Sequence, residues 1–247
     1  MAVLFQLNDH IATVTINRPE AMNAIDRQTA EELGEAWERV RTDPEIWVAI
    51  LTGAGDRAFC AGADTKSPLD PRQLEEVPGG VKTRITFDLK GINVWKPIIA
   101  AVNGHAIGSG MEMLSGTDIR IAAEGATFAL YEVKYGSLPY GGSVARLLRQ
   151  IPYCHAMRLL LTGDRIDAEE ALRIGLINEV VSADRLLPRA REIAELLCSY
   201  QPEVVQGIKE AAVRGLSMGL EQAYVLESLY GERVTNIVRR SEQQAGD

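Results

Sequence analysis

The sequence predicts an α/β fold in which a mixed N-terminal region is followed by a helical C-terminal region. In the first part of the chain, short apolar runs bounded by turn residues alternate with segments of helical spacing, a pattern typical of strands and helices. From Ala156 onward, nearly every segment shows helical spacing or is rich in helix formers. The 247 residues can bury a substantial core, as one large domain or two small ones, and no shift in composition separates two halves.

Composition and charge narrow the classes of function. Hydrophobic residues make up 46% and charged residues 24%, which is ordinary for a globular protein. The net charge of -8 argues against a nucleic-acid partner, because binding phosphates needs a basic surface. The three cysteines and three histidines are too scattered to indicate a disulfide framework or a metal site. Without a signal-like or membrane-length apolar segment, we expect a cytoplasmic protein with no membrane partner.

The first elements follow the order strand, strand, helix, strand. Two strands are expected at residues 3–7 and 11–16, joined by a turn of the kind found in hairpins. Residues 29–41 form an amphipathic helix in which four apolar residues recur at helical spacing: Leu33, Ala36, Trp37 and Val40. The apolar run at 47–52 is the next strand.

The middle of the chain combines a predicted loop, a helix and further strands. Residues 67–80 are polar and rich in proline and acidic side chains, so they are the best candidate for a mobile loop that covers a site. A helix over 81–95 then leads into a buried strand at 98–102. The later predictions are strands at 118–122, 127–129 and 178–181, and helices at 156–161, 168–174, 183–197, 202–216 and 219–238.

The strand at 98–102 leads into a candidate site. It is followed by the small residues Gly108-Ser109-Gly110 and then by good helix formers. The N–H groups at such a helix start are unpaired, so they can bind a carbonyl oxygen that becomes negative during a reaction. Glu112 lies one turn into the helix. Taken alone, it is equally well explained as a first-turn glutamate favoured by the helix dipole.

A second turn and a second glutamate extend this hypothesis. Ala61-Gly62-Ala63 is either an ordinary tight turn or a second source of a backbone N–H for the same oxygen. Glu132 lies in an aromatic and glycine-rich segment, where burial would raise its pKa and suit it to acid or base catalysis. Glu132 could equally pair with Lys134 or Arg146.

Several motifs, taken together and in order, resemble the enoyl-CoA hydratase/isomerase family, also called the crotonase superfamily. The resemblance covers residues 3–235, and the ordered set is far more specific than any single motif. The motifs are Asn17-Arg18-Pro19 with Asn23-Ala24, residues 61–64 with Lys66, residues 96–112, residues 132–142, and residues 161–165 with Ala168 and Ala171.

The resemblance implies a spiral of repeated strand-strand-helix units with a helical C-terminal region that builds trimers. We accordingly expect a spiral core at residues 1–195, a helical region at 196–247, and a homotrimer or a dimer of trimers. Residues 237–247 lack the Ala-x-Phe pattern with which many relatives end, and their basic residues are Arg239 and Arg240. This departure bears on closure of the site and on assembly.

The resemblance also implies an activity, the addition of water across the 2,3 double bond of an enoyl-CoA thioester. The backbone N–H groups of Ala63 and Ser109 would hold the thioester oxygen. Glu112 would help to position and activate water, and Glu132 would be the carboxyl group nearer the α-carbon. No metal or redox cofactor is needed, and coenzyme A is part of the substrate. The expected coenzyme A-binding residues are Arg18, Ala61, Ala63, Asp64 and Lys66.

Other functions remain open at this stage. An isomerase of the same family needs only one proton-shuttling carboxylate, and a dehydratase would run the water chemistry on a modified acyl group. A non-catalytic acyl-CoA-binding subunit is the alternative from another class, supported by the atypical tail. A dinucleotide-binding oxidoreductase is weaker because Gly108-x-Gly110 lacks the third glycine. A hydrolase using Ser109 and His105 lacks a third member.

Overall fold

The computed structural model describes residues 1–67, 75–77, 81–83 and 86–245. The strands are β1 (Val3–Asn8), β2 (Ile11–Ile16), β3 (Val48–Gly53), β4 (Ala58–Cys60), β5 (Glu75–Val77), β6 (Val81–Thr83), β7 (Ile98–Val102), β8 (His105–Ile107), β9 (Ile119–Ala123), β10 (Thr127–Ala129), β11 (Ile166–Asp167) and β12 (Glu179–Val181). The helices are α1 (Arg27–Thr42), α2 (Ser109–Ser115), α3 (Ser143–Gln150), α4 (Tyr153–Thr162), α5 (Ala168–Arg173), α6 (Leu186–Cys198), α7 (Pro202–Gly215) and α8 (Leu220–Ala245).

The larger sheet has six strands in the order β1-β2-β3-β7-β9-β12. Only β1 and β2 pair antiparallel, and the remaining neighbours are parallel. Strand side chains alternate between two hydrophobic clusters, because successive residues of a strand point to opposite faces. In β3, Val48 and Ile50 pack with α6, whereas Ala49 and Leu51 join the main core that contains α1. Coverage on both faces explains why β3 and β7 are continuous apolar runs.

The smaller sheet positions the candidate site. Its order is β11-β10-β8-β4, and β8 pairs parallel with both β4 and β10. Cys60 lies opposite Ala106, and Ala129 lies opposite Ile107. Because parallel strands end at the same edge of a sheet, the segments that follow β4, β8 and β10 emerge side by side.

The C-terminal region is helical, as predicted. The helices α7 and α8 pack against each other and carry several large apolar side chains that are exposed, namely Ile208, Val213, Leu220, Tyr224, Val225 and Leu229. The expected boundary between residues 195 and 196 falls inside α6, and the division into two regions stays a prediction. None of the helices in the described part of the chain combines the length and apolar character needed to cross a membrane.

The helix predicted over residues 81–95 is wrong. Residues 81–83 form β6, which pairs antiparallel with β5, and Thr86–Asp88 is a short 3-10 helix. Leu89 and Gly91 then have positive φ angles of 61° and 80°, which end any helical path. The indole N–H of Trp37 in α1 donates to the carbonyl of Phe87 at 2.9 Å and anchors this irregular segment. The loop predicted at 67–80 lies outside the described residues, except for Ser67 and 75–77.

Close packing of α2 against β4 gives a test of the fold. A Cβ atom at Gly110 would lie 2.3 Å from the carbonyl oxygen of Cys60, so the two elements touch through backbone. We expect Gly110→Ala to lower the free energy of unfolding by roughly 1–3 kcal/mol, because the added methyl group overpacks this contact. Chemical denaturation measures the effect. Gly125→Ala is the matched control, since nothing lies within 4 Å of its Cβ position. Equal stability of the two variants would contradict the packing described.

Candidate active site

Ala63 lies in the turn after β4, where it forms an isolated β-bridge with Ile25. Ile25 pairs in parallel with Ala63, donating to the carbonyl of Gly62 at 2.8 Å and accepting from the N–H of Asp64 at 2.9 Å. In such a bridge the bonds come from the residues that flank Ala63, so its own N–H points away from Ile25. The residue is also exposed.

Ser109 is the first residue of α2, and its N–H therefore has no partner within the helix. Gly108 precedes it with φ 52° and ψ -117°, a conformation that disfavours any residue with a Cβ. The turn is held by the N–H of Gly108, which donates to the carbonyl of Ala129 in β10 at 2.9 Å. Over the described residues, neither Ser109 N–H nor Ala63 N–H donates to a protein acceptor.

The two turns touch each other. A Cβ atom built on Gly108 would lie 3.7 Å from the Cα of Gly62, and one built on Gly62 would lie 3.2 Å from the carbonyl oxygen of Ile107. Gly62 has a φ of +103°, which also favours glycine. The backbone of the two turns can approach this closely only because both positions lack side chains. The turns that carry Ala63 and Ser109 are thereby in contact.

Glu132 follows β10 and reaches back over the second turn. It begins the 3-10 helix Glu132–Tyr135, and its Oε1 lies 3.0 Å from the Cβ position of Gly108. Its Oε2 is buried and has no hydrogen-bond partner among the described residues. Burial raises the pKa of this carboxyl above its ordinary value.

The ion pairs considered for Glu132 are not formed. The ammonium of Lys134 lies 4.6 Å from the centre of the Tyr131 ring instead. The guanidinium of Arg146 donates to the backbone carbonyls of Asp88, at 3.0 Å, and Leu89, at 2.7 Å. In the part of the chain that the structure describes, Glu132 therefore faces the turn at Gly108 with one buried carboxyl oxygen and no cation bonded to it.

Glu112 occupies the first turn of α2 and is buried. Its own N–H donates to the carbonyl of Gly108 at 2.9 Å, which closes the first turn of the helix. Its Oε1 accepts the N–H of Gly141. A Cβ at Gly141 would lie 2.6 Å from Glu112 Oε2, so glycine is required for this approach. A hydrogen bond to an ionised carboxylate favours the charged form.

The residues expected to bind coenzyme A lie around the first turn. Arg18 is committed to two ion pairs, with Asp26 at 3.0 Å and with Asp64 at 2.9 Å. The backbone N–H of Lys66 and then the guanidinium of Arg18 hold the pKa of Asp64 below its ordinary value. Ala61 donates its N–H to the carbonyl of Met22 at 3.1 Å, and the side chain of Lys66 is exposed. Their contact with coenzyme A stays a prediction.

Sequence reasoning missed Asp88 and the part played by Arg146. Asp88 is only 2% exposed, and its Oδ2 lies 2.6 Å from the Cβ position of Gly141. Burial raises its pKa to about 6. The sequence offers no signal for it, because this acidic residue stands in a segment whose spacing predicts an ordinary helix.

Two other reactive side chains near the turns are held in inert arrangements. Burial raises the pKa of the Cys60 thiol to about 12, so it stays protonated at neutral pH. The Nδ1 atom of His105 makes a 2.8 Å hydrogen bond with the hydroxyl of Thr127. His105 and Ser109 share no hydrogen bond, and the pair therefore lacks the nucleophile–base contact of a serine hydrolase.

The sequence is similar to those of known enzymes that act on coenzyme A thioesters. The family model of enoyl-CoA hydratase/isomerase matches residues 6–241. The (E)-benzylidenesuccinyl-CoA hydratase of Thauera aromatica is 43% identical over 244 residues, which cover 99% of this chain and 93% of that protein. The carnitinyl-CoA dehydratase of Escherichia coli strain K12 is 40% identical over 219 residues, covering 88% and 82% of the two chains.

Solved structures agree with the architecture. The enoyl-CoA hydratase EchA1 from Mycobacterium marinum has a TM-score of 0.84 and 33% identity, with 95% of this chain and 90% of that chain covered. An enoyl-CoA hydratase from Bacillus anthracis has a TM-score of 0.85 and 32% identity, with 98% and 97% covered. The predicted crotonase-like α/β spiral is therefore confirmed, and the chain belongs to the enoyl-CoA hydratase/isomerase family.

Proposed function

We propose that the chain is an enoyl-CoA hydratase that adds water across the 2,3 double bond of an enoyl-CoA thioester. The observation that carries the proposal is the contact between the turns of Ala63 and Ser109, whose N–H groups donate to no acceptor among the described residues, beside the buried Glu112 and the partly buried Glu132. An isomerase needs one proton-shuttling carboxylate, so two carboxyl groups at the same helix start favour hydration.

The two N–H groups form the proposed oxyanion hole. When water adds to the β-carbon, the electrons of the double bond move onto the thioester oxygen, giving an enolate. Donors already oriented toward that oxygen stabilise the enolate more than the neutral substrate, which lowers the barrier. Because both donors belong to the backbone, they are held by the β4 and β8 turns and need no side-chain reorganisation.

The two glutamates divide the proton transfers. Glu112 accepts a hydrogen bond from Gly141 that favours its ionised form, so it takes a proton from water as the oxygen bonds to the β-carbon. The Oε2 atom of Glu132 is buried without a donor among the described residues, which favours the protonated form, so Glu132 gives its proton to the α-carbon. One proton is taken and one is given, and the glutamates exchange protons before the next turnover.

The identity of the acyl group and the assembly are further parts of the proposal. The relatives named above act on acyl groups as different as benzylidenesuccinyl and carnitinyl. Tyr135 and Tyr140 are both exposed beside the Glu132 segment and could contact an acyl group there. Arg18, Ala61, Ala63, Asp64 and Lys66 are the proposed coenzyme A-binding set. The exposed apolar side chains of α7 and α8 support a homotrimer or a dimer of trimers.

The central experiment measures the conjugated-thioester absorbance of crotonyl-CoA with the purified protein. We expect this absorbance to fall, and Glu112→Gln and Glu132→Gln each to lower kcat by about 10²–10⁴-fold, the usual contribution of a general acid or base. Glu20→Gln, at an exposed position, is the matched control and should retain activity. Hydration that survives Glu112→Gln would argue against the two-carboxylate mechanism. Binding of the thioester without turnover of any enoyl substrate would favour the non-catalytic subunit.

Substitution of Ser109 separates the oxyanion hole from a serine nucleophile. We expect Ser109→Ala to keep the hydration rate within a few-fold of wild type, because alanine retains the backbone N–H. Ser109→Pro, which removes that N–H, should lose about 10²–10³-fold in kcat. Steady-state kinetics on crotonyl-CoA measures both, and circular dichroism checks that the proline variant is folded. If the alanine variant were as inactive as the proline variant, the hydroxyl would be required and the proposal would fail.

The pH dependence on the alkaline side should report Glu132. Burial raises its pKa, and the proposed acid is active only while protonated, so activity is present below that raised pKa and falls as pH rises through it. The profile of kcat/KM with crotonyl-CoA should therefore turn down at a midpoint above the ordinary glutamate value of 4.5. A rate that keeps rising through the alkaline range would contradict the role of Glu132 as the acid.

A further inference from the structure

A third carboxyl group lies beside Glu112, and the proposed mechanism does not use it. Asp88 ends the 3-10 helix Thr86–Asp88, and its side chain is buried. Its Oδ1 accepts the backbone N–H of Lys90 at 3.0 Å, which fixes the orientation of the carboxyl group. The other oxygen, Oδ2, is turned toward Gly141.

Gly141 is the point at which the two carboxyl groups meet. A Cβ atom on this residue would lie 2.6 Å from Asp88 Oδ2 and 2.6 Å from Glu112 Oε2. The two oxygens can therefore be no further apart than twice that distance. At such a separation inside a protein, one negative charge strongly affects whether the other carboxyl group holds a proton.

Two cations lie near Asp88 and Glu112 among the described residues, and they belong to Arg146 and Lys90. The guanidinium of Arg146, in α3, interacts with both carboxyl groups and donates to the backbone carbonyl of Asp88. On the same segment as Asp88, the ammonium of Lys90 donates to the carbonyl of Tyr140 at 2.6 Å, and its charge also acts on Asp88.

The helix α1 also packs against the segment that carries Asp88, and it places an uncharged side chain there. The group that α1 presents there is the uncharged indole of Trp37, whose N–H donates to the carbonyl of Phe87. Burial raises the pKa of Asp88 to about 6, against the lowering effects of the Lys90 N–H and of the Arg146 and Lys90 charges. Asp88 is therefore mostly ionised at neutral pH.

We propose that Asp88 is a positioning residue for the hydration reaction, acting through Glu112: its negative charge makes Glu112 a stronger base toward water. This inference rests on the proposed function. When Glu112 takes a proton from water, its own negative charge is neutralised and its repulsion with Asp88 is relieved. The interaction is thus more favourable in the transition state than before the reaction, which is the condition for a rate effect. Asp88 itself forms and breaks no bond.

The test is Asp88→Asn, which removes the charge but keeps an oxygen that can accept from Lys90. We expect the acid limb of the kcat/KM profile on crotonyl-CoA to move to lower pH by about one unit, because a like charge close to Glu112 is lost. We also expect kcat on the plateau to fall roughly three- to tenfold, since a weaker base transfers the proton less readily. KM should stay close to that of wild type. The acid limb belongs to the coupled pair, so its shift is the informative quantity.

Two further variants separate charge from structure. Asp88→Ser is a second neutral substitution and should move the acid limb in the same direction. Trp37→Phe removes the hydrogen bond to Phe87 and disturbs the same segment without touching the carboxyl group, so the acid limb should keep its position. An unchanged acid limb in both neutral variants, or an equal shift in Trp37→Phe, overturns the proposal.

A measurement on the wild-type protein covers the case in which the neutral variants do not fold. With ¹³C-labelled aspartate and glutamate carboxyl groups, Asp88 and Glu112 should titrate in two coupled steps, and independent single steps overturn the proposal. Failure of the proposed function is distinct: wild type would not hydrate crotonyl-CoA, or Glu112→Gln would remain active. If only this inference fails, Glu112→Gln is inactive while Asp88→Asn behaves as wild type.

Discussion

The parallel pairing of β8 with both β4 and β10 is the constraint on which the site depends. It places the ends of three strands side by side, so that the turns carrying Ala63 and Ser109 meet under the segment that carries Glu132. Register matters, because a slip of one residue would turn every side chain of a strand to the other face. The supporting larger sheet is buried on both faces and packs against α6 and α1. Two of the four proposed catalytic groups are backbone groups, so the proposal does not depend on the hydroxyl of Ser109.

Close backbone approach is the second requirement, and each glycine meets it for a different reason. Gly108 adopts a positive φ and lies under the carboxyl group of Glu132, whereas Gly110 rests on the carbonyl of Cys60. Gly141 has neither role. Its missing side chain leaves space for two carboxyl oxygens, and its N–H binds one of those carboxyl groups, that of Glu112. The same position thus controls both the orientation of the proposed base and its electrostatic surroundings.

Differences in burial and hydrogen bonding underlie the different roles proposed for Glu112 and Glu132. Among the described residues, one oxygen of Glu132 is buried without a donor, while Glu112 accepts a backbone N–H. In the proposed mechanism this difference makes Glu132 the acid and Glu112 the base. Asp88 adds a charge whose effect depends on its distance from Glu112 rather than on contact with substrate. Family membership does not identify the acyl group, since similar relatives carry names with different acyl groups.

Local pattern in the sequence was sufficient for most of the fold and for the family. Apolar runs predicted β3 and β7, helical spacing predicted α1, and the ordered motifs predicted the family. The roles of Ala63, Ser109, Glu112 and Glu132 stay a prediction. The helix expected at 81–95 failed because a contact from Trp37, distant in the chain, competes with local propensity. Only the tertiary structure placed Asp88 beside Glu112 and committed Arg18 to ion pairs. The burial of a side chain and its distance from other charged groups depend on which segments pack together. A local sequence pattern does not predict that packing.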